Sequence, residues 1–127
     1  MRYLMIHKID ESRPEAWNPS QEFQGAMGAL MSEYAESGVL LAAEGVTQSK
    51  DGAIVRKKEG AGVTVTDGPF TEAREVIGGF ALVKVEGKEE ALELASKFAS
   101  LFDEVSVEVR RVFEFEDFEN RERQPDA

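Results

Sequence analysis

One histidine, His7, stands in the run YLMIHKI, and with an ordinary pKa of about 6.5 an imidazole can take up and return a proton at neutral pH. Lys8 follows it, and an ammonium at that place can hold a carboxylate or enolate oxygen as a point charge. Glu44 lies among small apolar residues in LAAEGV, where an acid held away from water can keep a proton and pass it on. Glu44, His7 and Lys8 are therefore the expected catalytic set, with Glu44 as the general base. Each also has a plainer reading: a packed or interface histidine, a lysine whose stem lies along apolar surface, and a strand-end glutamate that meets water or pairs with Lys8 or Arg110.

A second set lies in TVTDGPFTEAREVIGGF, residues 64–80. The Asp67 carboxylate can accept backbone N–H groups in an Asx turn, Gly68 admits unusual torsions and Pro69 fixes one, so this is first of all a rigid corner. Phe70 is expected to point from it as a pocket wall. Glu72 belongs to a mixed-charge patch that either faces a ligand or is simply solvated. Gly78 and Gly79 fall inside an apolar run, where glycine marks a bulge or a close backbone approach. Asp67, Phe70, Glu72 and Gly79 are the expected ligand-binding residues.

Other chemistries find no support. The chain has no cysteine, so disulfides, thiolate metal ligands and a cysteine nucleophile are absent. No GK[ST] follows the paired glycines, no G-x-S-x-G elbow occurs, and one histidine with scattered carboxylates has no metal-ligand spacing. No metal and no cofactor are expected. The formal charge is -10, and residues 65–127 carry twice as many acids as bases. A phosphate backbone needs clustered Lys and Arg, so no nucleic-acid partner is expected. MRYLMIHKIDE is too short an apolar run for a signal or a span, so no membrane association and a cytoplasmic location are expected.

The elements that must position these residues can be read from periodicity. YLMIHKI is a strand, and a polar connection leads to a helix with Asn18 as cap and Pro19 in its first turn. In that helix Phe23, Met27, Leu30, Met31 and Tyr34 share a face, and Gly38 ends it. VLLAAEGV is a second strand, residues 53–67 form a hairpin turning near 59–62, and 74–86 is the next strand. A second helix opens at Gly87 with Ala91, Leu94, Ala95, Phe98 and Phe102 in register, and 105–113 is the last strand.

Strand, helix, strand, inserted hairpin, strand, helix, strand is the split βαβ order of a ferredoxin-like α+β fold, an antiparallel sheet with both helices on one face. The expected extent is a single domain over 1–118 with an acidic, flexible tail over 119–127. Both faces of the first strand are substantially apolar, which predicts cover on both sides, most simply by a second copy in a homodimer.

GVLLAAEGV at 38–46, VTVTDGPFTEAREVIGGF at 63–80 and VEVRRVFEFEDF at 107–118, in this order, resemble the YCII-related family, in its branch with the Asp-Gly-Pro-Phe (DGPF) motif. The likeness runs from residue 1 to about 118. It implies a dimeric α+β barrel. Some relatives are thought to be small-molecule enzymes with a His and Asp pair in a cleft, and others occur beside or fused to sigma factors. In the enzymatic branch the histidine lies beyond the first strand, and His7, inside that strand, departs from this pattern.

Two functions follow. One is a small-molecule-binding protein or small enzyme with lyase-like or isomerase-like proton chemistry, its cleft bounded by the sheet, the first helix and the DGPF turn. The other is a non-catalytic module for a protein partner, for example in sigma-factor regulation, docking through its acidic second half and Phe113, Phe115 and Phe118.

Overall fold

The computed structural model of the chain describes residues 1–123. Strands β1 (Arg2–Ile9), β2 (Leu40–Gly45), β5 (Val76–Lys84) and β6 (Ser106–Arg111) form one antiparallel sheet in the order β2-β5-β1-β6. Helices α1 (Gln21–Glu36) and α2 (Lys88–Ala99) follow β1 and β5, and β3 (Ala53–Lys57) and β4 (Val63–Asp67) form a separate two-stranded sheet. This is the ferredoxin-like α+β arrangement with an inserted hairpin.

Register assigns the two faces of the sheet. Tyr3, Met5 and His7 of β1 stand opposite Val83, Ala81 and Gly79 of β5 and opposite Arg111, Val109 and Val107 of β6. On this side Tyr3, Met5, Ala81 and Val83 are buried, and they join Ala91, Ala95 and Phe98 of α2 in the core, with Met27, Leu30 and Met31 of α1 packed against it. The helices therefore cover the face that carries His7, as the alternation of a half-covered sheet requires. The buried Tyr34 ties the two helices together by donating its hydroxyl to the Leu94 carbonyl at 2.8 Å.

The termini of the elements differ from the periodicity in two places. Helix α1 is capped by Ser20, whose hydroxyl oxygen accepts the Phe23 N–H at 3.1 Å, so Asn18 and Pro19 lie before the helix. A serine three residues ahead of a free N–H closes the first turn, and Gln24 adds a second anchor by donating to the Pro19 carbonyl at 3.0 Å. A third helix, α3 (Phe115–Arg123), extends through what reads in the sequence as a frayed tail. Asp117 starts it by accepting the Glu114 N–H at 2.7 Å while Arg111 holds the same carboxylate. The expected tail thus continues this helix over 119–123, and its remainder, 124–127, lies outside the described residues.

Two bulges break the ladder. Leu41 is an extra residue in β2, between the pairs Leu40–Val83 and Ala42–Leu82. Gly78 is an extra residue in β5, between the pairs His7–Gly79 and Lys8–Ile77. Among the described residues no helix is long and apolar enough to cross a membrane.

Candidate functional site

Between the helix-covered face of the sheet and the two helices lies a cavity of 930 Å³. Its floor is Met5, His7 and Ile9 on alternate positions of β1, with Gly78 from the neighbouring strand. One wall is α1, whose Phe23, Ala26, Met27 and Met31 recur at the spacing of one helical face. The opposite wall is the end of α2 and the turn beyond it, with Phe98, Leu101 and Phe102. The connection between β1 and α1 closes a third side with Trp17.

His7 sits in an aromatic corner. Its ring centroid is 5.3 Å from that of Phe98 and 5.7 Å from that of Phe102, and Phe23 meets Phe102 edge-on at 4.9 Å. Under the imidazole lie the paired glycines. A Cβ on Gly78 would fall 2.6 Å from His7 Nε2, and one on Gly79 would fall 2.8 Å from His7 Cε1 and 2.5 Å from the Glu44 carbonyl oxygen. The bulge and the absent side chains make the space in which this ring lies. Burial holds the His7 pKa below its ordinary value, because the apolar surroundings disfavour the imidazolium. The group is therefore a neutral imidazole at neutral pH, able to accept a proton or a hydrogen bond.

The rim is charged. Arg13 bonds Glu15 at 2.6 Å and reaches across to Glu104 beyond α2, so one guanidinium links the β1–α1 connection to the α2–β6 turn. Glu15 is the main cause, and Glu104 a further one, of a raised Arg13 pKa. Asp10, Glu22 and Asp103 also line the rim, which leaves carboxylates in excess there. Asp10 is held below the usual carboxylate range, first by the Ser12 hydroxyl at 2.6 Å and then by the Ser12 N–H at 3.0 Å.

The other expected residues lie elsewhere. Glu44 is among the residues that line the cavity, but it pairs with Phe80, which pairs with Ile6, so its side chain belongs by register to the sheet face turned away from the helices. Lys8 is on that same far face, bonded to Glu108 at 3.1 Å, and this contact is the leading reason that Glu108 is held below its usual value. Asp67, Phe70 and Glu72 are not among the cavity-lining residues. Asp67 ends β4 opposite Ala53. Phe70 lies against Gly52, and its N–H donates to the Ser49 hydroxyl oxygen at 2.9 Å. The Gly68–Pro69 peptide is cis, and the Gly68 N–H donates to the Gly52 carbonyl at 2.8 Å.

The structure thus brings His7 and Gly79 together, and by register it turns the side chains of Glu44 and Lys8 to the other face of the sheet. Sequence reasoning missed Trp17 and Arg13 as parts of the site. It read Phe23, Phe98 and Phe102 only as helix-face residues, although an aromatic concentration at the facing ends of two helices, one turn from the strand histidine, is a usable signal. Among the described residues no group of three or more His, Asp or Glu is placed to hold a metal ion.

Residues 1–116 match the YCII-related domain. The chain is also similar to an uncharacterized protein of Rhizobium meliloti (strain 1021), 30% identical over 97 residues, covering 75% of this chain and 77% of that protein. The chain belongs to the YCII-related family.

Proposed function

We propose that this protein binds a small organic molecule in the cavity between sheet and helices and that His7 is its proton acceptor or hydrogen-bond partner. The observation that carries this is a half-buried, neutral imidazole facing an aromatic-walled cavity of 930 Å³, a size ordinary for a small-molecule site. A proton taken by His7 from one atom of the ligand and returned to another amounts to an isomerisation, and returned as a neighbouring bond breaks, to a lyase step. The aromatic walls favour a planar or branched apolar body. The excess of carboxylates at the rim favours a neutral or cationic molecule over an anion.

On its residues 67–70 the chain falls in the DGPF-motif branch of the family. A homodimer also belongs to this proposal. Val55, Val63 and Val65 share one face of the hairpin and are 65%, 60% and 64% exposed, and a two-stranded hairpin is not stable without cover. Ile77 and Phe80 leave further apolar surface on the far face of the sheet. A second copy laid on that face covers it, and Glu44 and Lys8 then serve the interface. Sedimentation of the wild type at micromolar concentration is expected to give a dimer, and Val65→Glu a monomer.

The test of the site is a thermal-shift screen with a library of neutral, cationic and anionic metabolites, run on the wild type, His7→Gln and Glu44→Ala. Hits weakened in His7→Gln and kept in Glu44→Ala support the assignment. Hits indifferent to His7→Gln remove His7 from the site, and hits lost in Glu44→Ala return the chemistry to Glu44. The second reading, a module for a protein partner, rests on Phe113 and Phe118, which stack at 5.1 Å while both remain more than half exposed. A screen without hits favours it.

A further inference from the structure

We infer that the DGPF corner acts on the cavity without touching it, through a chain of hydrogen bonds that fixes Trp17, and that Glu11 and Ser49 are the positioning residues of that chain. This rests on the proposed cavity site and explains why a corner outside that site should be built so tightly.

The connections run in one line. Ser49 is a buried polar residue, 7% exposed, in a short 3-10 turn (Ser49–Asp51) that precedes the hairpin. Its hydroxyl accepts the Phe70 N–H at 2.9 Å and donates to the Glu11 carboxylate, and its own N–H donates to the other Glu11 oxygen at 3.1 Å. From the other side, the Gly68 position has no room for a side chain, because a Cβ would collide with the Ser49 carbonyl group. The corner and the turn are thus pressed together at Gly68 and bonded at Phe70. Glu11 then passes the constraint on, since its backbone carbonyl accepts the Trp17 indole N–H at 2.8 Å. Trp17 is a wall of the cavity.

Each link is of the kind that positions rather than reacts. The Ser49 hydroxyl has its proton and an acceptor site committed, and a carboxylate gripping both an N–H and an O–H of one residue fixes that residue's place as a point contact could not. The other bonds of the connection 10–20 hold its backbone and its charged side chains, and the indole N–H itself is held by the Glu11 carbonyl. Removing Ser49 Oγ leaves the Phe70 N–H and one Glu11 oxygen without partners and frees both ends of the chain.

Trp17 is the only tryptophan, so intrinsic fluorescence reads this wall alone and needs no ligand. Ser49→Ala and Glu11→Ala are expected to shift Trp17 emission to the red and to raise its acrylamide quenching about two-fold, a loss of cover in the sense of local opening. Glu11→Gln, whose amide can still donate to Ser49 Oγ and accept from its N–H, is expected to keep most of the wild-type emission and quenching. Leu82→Ala, on the far sheet face, is the control, and it should lower the melting temperature without moving Trp17 emission. Unchanged Trp17 spectra in both alanine variants overturn the proposal, as does an equal change in the control. Where a variant does not fold, hydrogen exchange of the wild type decides: the Trp17 indole and the Ser49 and Phe70 amides should open at a common rate, and an indole exchanging independently of them overturns the coupling. Because these readouts involve no ligand, their failure is separate from a failed metabolite screen.

Discussion

His7 and Lys8 are neighbours in one strand and live in opposite worlds. His7 faces the helices, in a corner of Phe98, Phe102 and two glycines, where burial alone lowers its pKa. Lys8 faces the other way and shares Glu108 with Arg110, in a set of ion pairs open to solvent. The pleat makes the difference: a step of one residue along β1 moves a side chain from an apolar enclosure to a screened surface. A titratable group on the first face can be tuned and used, whereas on the second face a similar group mainly keeps the surface soluble or serves a second copy.

The largest expected effect breaks the covered face. Phe98→Ala removes a buried ring that packs on both His7 and Phe102, and should cost about 3–5 kcal/mol in chemical denaturation. Next is the floor: Gly79→Ala places a Cβ against the Glu44 carbonyl oxygen, which is backbone, and should cost about 1–3 kcal/mol. Smaller again is a pH effect. The folded-state pKa of His7 is lowered, so the unfolded chain binds the extra proton first. The His7 contribution is therefore complete above the unfolded value of about 6.5 and is lost as pH falls from there through the lower folded value. His7→Gln should flatten that part of the stability profile between pH 7 and the onset of carboxylate titration. Smallest is Lys8→Met, for which the denaturation midpoint should not move measurably in the monomer. A clear loss there, as large as that of Gly79→Ala, would erase the contrast between the faces.

Most of the fold was legible because its signals are local. The strand of β1, the helical spacing of Phe23 to Tyr34, the hairpin and the alternating valines of β6 each need only a short window. The face of Glu44 was not legible, and the cause is a single residue. Leu40 points to the helices, and strict alternation would put Glu44 on the same side, opposite Gly79. The extra Leu41 shifts the register by one, so that Glu44 pairs with Phe80 and turns away. Nothing in GVLLAAEGV marks that bulge. Helix α3 escaped for a different reason: its start depends on Arg111 holding Asp117, a contact that exists only once β6 is in the sheet. The paired glycines were read as a close backbone approach, and what approaches is the His7 ring. The network of Glu11, Ser49 and Phe70 joins three loops distant in sequence and leaves no periodic trace.

The place of β1 has a consequence for synthesis. It is a central strand, with both partners, β5 and β6, encoded far downstream, so that Met5 must wait for Ala81 on one side and Val109 on the other. On the ribosome this apolar segment is thus made well before either partner, and its ladder with β6 cannot close until the second helix has emerged. YLMIHKI travels unpaired through most of translation, an aggregation hazard that a holdase or fast elongation would relieve. Yield in a cell is therefore expected to respond to chaperone supply more steeply than the stability of the finished fold would indicate.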